Sequence, residues 1–195
     1  MCLLTNCKKK SVAKKPIKCL KVVAVLNMPG VGPVYRSFYA FNGSIEYKIG
    51  GVVDMNEGRT EAVKDKLRTL PSKWYNEGPY EGRLNNNNRS SFEYRVEAGI
   101  HTFSPKSNGA RSVYEWGKKD IEHYRHKLYD LSDRNDVAIL ECEIPVGAKY
   151  YKGISNCFSE RHQVDENGYT SDKLHIIRAL SEEEVNALPY VDVPY

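Results

Sequence analysis

Apolar residues come along this chain mostly in short runs closed by glycine, proline or asparagine, the punctuation of strands rather than of long helices. The valine-rich run Lys18–Asn27 predicts a buried strand ended by the turn sequence MPGVGP, and Val34–Phe41 predicts a second. An Asn-Gly turn leads from there into a third expected strand, Ile45–Met55. Gly58–Pro71 carries Ala62, Val63, Lys66, Leu67 and Leu70 near helical spacing and predicts a short helix. The asparagine-rich stretch Ser72–Ser91 predicts a long surface loop, and Ser91–Ser104 a return to strand.

One long helix is expected over Pro105–Asn135, with Val113, Trp116, Ile121, Tyr124, Leu128 and Leu131 as its apolar stripe and Gly117 as its weak point. Asp136–Pro145 alternates most clearly. Val137, Ile139, Glu141 and Glu143 fall on one face, and Ala138, Leu140, Cys142 and Ile144 on the other. An irregular excursion is expected from Gly147 to Asp172, then a strand over Lys173–Leu180. Ser181–Leu188 closes the pattern as a helical turn, with Ser181 as N-cap and Glu184 completing a capping box. Strands, a helix and strands again, without βαβ rhythm, predict an α+β domain. It would hold a mostly antiparallel sheet, one long helix and a long irregular middle loop.

Charge changes this picture only at the N-terminus. The net charge of +4 is concentrated in CKKKSVAKKPIKCLK, so residues 1–16 are expected to be a basic flexible arm on a single domain over 17–195. Such an arm touches nucleic acid in some proteins and is a solvated tail in others; nucleic acid ranks last among the partners considered. Cys2, Cys7, Cys19, Cys142 and Cys157 are odd in number and contain no CxxC pair, which argues against a disulfide framework or a zinc ribbon. His123 and His126 are three apart on the expected helix but have no third ligand, and no metal or cofactor is expected. No signal-peptide pattern and no apolar run near ~20 residues is seen, so a cytoplasmic protein without a membrane partner is expected.

Fourteen tyrosines against five phenylalanines point to half-buried or ligand-facing aromatic surfaces. Lys149, Tyr150, Tyr151 and Lys152 in GAKYYKG combine flat rings with cations, a pattern suited to a base and its phosphate. In an extended segment the two rings point opposite ways, so one can pack inward while the other meets a ligand. Ser171, Asp172 and Lys173 offer a hydroxyl, amides and an amine for an anion nest, or else Asp172 pairs with Lys173 or caps the turn. His101, at a strand end just before a helix, is either a satisfied histidine or a donor or base facing an anion. Arg36 within an apolar strand is either paired with Glu141 or Glu143 or aimed into a pocket.

Two resemblances add a setting. Arg36, Ser90-Ser91 and Glu141-Cys142-Glu143 resemble the Arg, Ser, Glu-x-Glu pattern of ADP-ribosyltransferases, although the Ser-Thr-Ser triplet is missing. That likeness implies an enzyme acting on NAD or a related dinucleotide, with Glu143 essential and Glu141 less so; for an enzyme, His101 is a further catalytic candidate. The segments MCLLT, IKCLKVVAV, GIHTF and EIPVGAKYYKG through YTSDKLHIIRAL resemble a group of small uncharacterised proteins of Bacteroidetes and their phages. This second likeness implies an accessory protein, in the host cytoplasm if phage-encoded, that sequesters a nucleotide-derived signal in counter-defence. A protein-binding inhibitor of a host factor, using the loop at Asn85–Asn88, is the further alternative, and a homo-oligomer is compatible with each.

Overall fold

The longest strand, Ile17–Met28, is apolar on both faces and is sandwiched between other strands along most of its length. It belongs to a computed structural model that describes residues 4–5, 10–28, 30–37, 45–55, 57, 69–71, 94–96, 99–124, 136–155 and 167–192. Among these residues the strands are β1 (Leu4–Thr5), β2 (Ser11–Val12), β3 (Ile17–Met28), β4 (Gly32–Ser37), β5 (Val52–Asp54), β6 (Thr69–Pro71), β7 (Tyr94–Val96), β8 (Ile100–Phe103), β9 (Asp136–Ile144), β10 (Lys149–Ser155), β11 (Asn167–Ser171) and β12 (Lys173–Ala179). The helices are α1 (Gly109–Tyr124) and α2 (Glu182–Asn186).

All strands join one antiparallel sheet in the order β5-β12-β9-β3-β8-β11-β10-β1-β7-β6, with β2 beside β10 and β4 beside β3. A single residue, Asp172, separates β11 from β12. Yet β11 pairs with β8 and β10, whereas β12 pairs with β9 and β5. The chain thus turns a corner at Asp172, and the two halves of the sheet wrap a shared interior. The Asp172 carboxylate fixes this corner by accepting the Lys149 backbone N–H at 2.9 Å.

The interior is lined by Cys19 and Val23 of β3, Ile100 of β8, Leu140, Cys142 and Ile144 of β9, and Leu174 and Ile176 of β12, with Tyr47 laid across them. Tyr150 of β10 and Tyr169 of β11 pack at its margin. On the opposite face, Leu20, Val22 and Ala24 of β3 and Val137 and Ile139 of β9 are covered by Ala110, Val113 and Tyr114 of α1 and by Val185 of α2. The alternation expected in Asp136–Pro145 therefore separates two cores, one on each side of the sheet. The capping box of α2 is formed as expected, with the Ser181 hydroxyl accepting the Glu184 N–H and the Glu184 carboxylate accepting the Ser181 N–H.

Several expectations are corrected. Ile45–Met55 is not one strand: Glu46 makes an isolated bridge to Arg36, and a turn with Gly50 at φ 77° intervenes before the three residues of β5. Thr69–Pro71, expected at the end of a helix, is a strand paired with β7, while 58–68 lie outside the described residues. The strand expected over Ser91–Ser104 is two short pieces, β7 and β8. Gly117 does not split α1. The excursion expected from Gly147 to Asp172 contains β10 and β11, both within the sheet. Two close backbones make that possible, because Gly168 of β11 sits where any Cβ would run into the Thr102 carbonyl oxygen. In the N-terminal stretch, β1 and β2 both pair with β10 and Ala13 is buried. The asparagine-rich loop at 72–91 and the second half of the helix expected to Asn135 lie outside the described residues.

Candidate functional site

The stretch GAKYYKG enters β10, and period-two alternation sends its side chains to opposite faces. Tyr151 points away from the interior and is buried, opposite Thr170 in register. Thr170 in turn lies opposite His101 of β8, so the row Tyr151–Thr170–His101 crosses three adjacent strands. The Thr170 hydroxyl is 2.9 Å from Nδ1 of His101. Burial, with the Lys21 charge beside it, pushes the His101 imidazole down to about 3, so this histidine stays neutral through the ordinary pH range.

Tyr150 and Lys152 share the other face. Lys152 is exposed and lies opposite Tyr169 in register. Tyr150 and Tyr169 are half-buried and meet edge to face, with ring centroids 6.2 Å apart and planes at 66°. Burial raises the Tyr169 phenol, which keeps it protonated. The exposed lysine beside two partly covered rings marks a mouth of the curled sheet, where interior residues give way to solvent. Lys149 is exposed at the start of the same strand.

The corner residues are held by one another. The Ser171 hydroxyl donates to the Lys173 carbonyl at 2.8 Å, Asp172 accepts from Lys149 N–H, and the Lys173 ammonium pairs with Asp54 at 2.8 Å. Burial raises the Asp172 carboxyl, while the Asp54 carboxylate beside Lys173 raises its amine. Thus Ser171, Asp172 and Lys173 form a structural clamp between β10, β5 and the β11–β12 corner.

Glu141 and Glu143 lie on the helix-side face of β9, each with a basic neighbour. Arg178 Nε meets Glu141 at 2.8 Å and both its terminal nitrogens meet Glu184 at 2.7 Å, while His175 Nδ1 meets Glu143 at 3.1 Å. Arg36 is not paired with either glutamate among the described residues. It lies opposite Ala24 on the far side of β3, and its Nε is buried with no hydrogen-bond partner there. Arginine and glutamates are therefore separate features, and Ser90 and Ser91 lie outside the described residues, as does His126. No group of three metal-ligating side chains occurs among the described residues. Nor is any helix there long and apolar enough to cross a membrane.

Two residues that sequence reasoning passed over stand out. Tyr169 completes the ring pair at the mouth, and only the β10–β11 register reveals it. Lys21, counted with the basic N-terminal excess, has the same parity along β3 as Cys19 and Val23. Its Nζ donates to the His101 carbonyl at 2.8 Å and lies 5.7 Å from the Tyr47 ring centroid. That parity was the readable signal: a lysine in phase with the apolar positions of a buried strand. Comparison with protein-family models, curated proteins and solved structures finds no match.

Proposed function

We propose that this protein, read as an α+β domain, binds and sequesters a nucleotide-derived small molecule at the mouth of the curled sheet. Tyr150 and Tyr169 would supply the aromatic platform, and Lys152 the neutralising charge. The observation that supports this reading is the half-buried, edge-to-face ring pair with an exposed lysine on the same face. A flat base stacks on such rings, and an ammonium beside them meets phosphate. His101 and the Ser171–Asp172–Lys173 corner act behind this surface by holding the strands that present it. In a phage-type setting, retention of a nucleotide signal without turnover is a counter-defence activity.

The reading is tested by equilibrium dialysis of nucleotides against the full chain and its Lys152→Glu variant. Loss of binding in the variant, with thermal stability unchanged, is the expected result. Unchanged affinity in a folded Lys152→Glu protein would overturn the assignment of the mouth.

A further inference from the structure

We infer that one end of the sheet is a docking surface for an anionic lipid bilayer, on which the protein lies without crossing it. Two neighbouring turns build that end, one joining β2 to β3 and the other joining β9 to β10. They run side by side: the Ala13 N–H donates to the Ala148 carbonyl at 2.9 Å, and the Gly147 N–H donates to the Ala13 carbonyl at 2.9 Å. Strand register holds them from both flanks, with Val12 opposite Lys149 and Ile17 opposite Ile144. Ala13 and Ala148 are buried, so both turns are anchored from beneath. The inference is independent of nucleotide binding at the ring pair.

Charge sets the class of partner. The paired segments 11–18 and 145–152 hold five lysines and no aspartate or glutamate, and all five lysines are exposed. The carboxylates that register brings closest are engaged elsewhere. Glu143, opposite Lys18, meets His175, and Asp54 meets Lys173. Asp172 is buried and accepts the Lys149 backbone N–H. Lys14 and Lys15, counted with the basic N-terminal excess, are therefore carried on a turn paired to the sheet, and their charge has a fixed place on the surface. Such a surface attracts a polyanion.

Two valines select the bilayer among polyanions. Val12, at the end of β2, is 56% exposed, and Val146, within the β9–β10 turn, is 62% exposed. Apolar side chains on turns ringed by ammonium groups match a bilayer interface. There the valines enter the acyl boundary, while the lysine stems lie along it and their ammonium groups stay at the anionic headgroups. A nucleic acid offers phosphate charge without an acyl layer to receive the valines. Each lysine held near an anionic leaflet is worth about fivefold in affinity, an attraction that reaches only about a Debye length.

The test sediments the full chain with vesicles of phosphatidylcholine alone, or of phosphatidylcholine with about a third phosphatidylserine. Binding to the phosphatidylserine vesicles is expected, with little to the neutral ones. Raising salt from about 0.1 M to about 1 M shortens the Debye length from about 10 Å to about 3 Å and should release most of the protein. The double variant Lys14→Glu/Lys15→Glu should bind at least about tenfold more weakly. Val146→Ser should weaken binding at least about threefold and leave the salt slope as it was. All three positions are exposed, so unchanged thermal unfolding confirms that the variants remain folded. Equal binding to both kinds of vesicle, or variants that bind as well as the parent, would overturn the inference. Capture of the chain by immobilised polyglutamate but not by the anionic vesicles would assign the surface to an acidic protein and overturn it too.

Discussion

His101 and Thr170 face each other across β8 and β11, with imidazole Nδ1 and hydroxyl oxygen 2.9 Å apart, and the buried imidazole gives the stability of the fold a pH dependence. The folded imidazole titrates near 3, whereas an unfolded histidine titrates near 6.5. Between those values the unfolded chain binds a proton that the folded chain refuses. The stability contributed by neutral His101 is complete above about 6.5 and is lost as pH falls toward 3. From pH 7 to pH 5 this group alone should remove about 2 kcal/mol. Urea denaturation across that range measures the slope, and His101→Gln, which keeps a hydrogen-bonding side chain, should flatten it. An equal slope in the variant would assign the dependence elsewhere.

Adjacent tyrosines should behave oppositely on substitution. Tyr151 is 5% exposed, so Tyr151→Ala removes core packing and should cost about 3–5 kcal/mol. Tyr150 is half-buried at the mouth, and Tyr150→Ala should cost about 1–2 kcal/mol while weakening nucleotide binding. Denaturant midpoints and dialysis on the same two variants separate these roles. Equal destabilisation by both would contradict the face assignment.

Gly168→Ala tests how closely β8 and β11 approach. A methyl group there runs into the Thr102 carbonyl oxygen, which is backbone and cannot swing aside. The strands must part, and a loss of more than about 2 kcal/mol is expected, read by thermal or urea unfolding. A variant as stable as the parent would mean that β11 does not pack as described.

What was legible follows from how each strand is buried. β3 and β9 have partners on both sides and apolar residues on both faces, so their sequences show it. The capping box of α2 is a local device and was equally readable. β10 was not, because Lys149 and Lys152 project to solvent from a strand whose tyrosines do the packing, and the polar positions imitate a loop. The corner at Asp172 was hidden for another reason. One residue redirects the chain between two strand partners, and its signal is a set of three long-range hydrogen bonds, to Lys149 and Met55, not a composition. At the site, the sequence offered Tyr150 and Lys152 but not Tyr169 or Lys21, which depend on register and on parity.

The most direct test of ligand sequestration mixes the purified protein with NAD, ADP-ribose derivatives, cyclic nucleotides and cyclic dinucleotides. Each mixture is filtered, and free ligand is quantified by mass spectrometry before and after the protein is denatured by heat. Sequestration at the mouth predicts that at least one nucleotide disappears from the filtrate and returns intact on heating, with retention reduced about tenfold or more in Tyr150→Ala. A panel that stays entirely free, or a ligand that returns chemically altered, would contradict it.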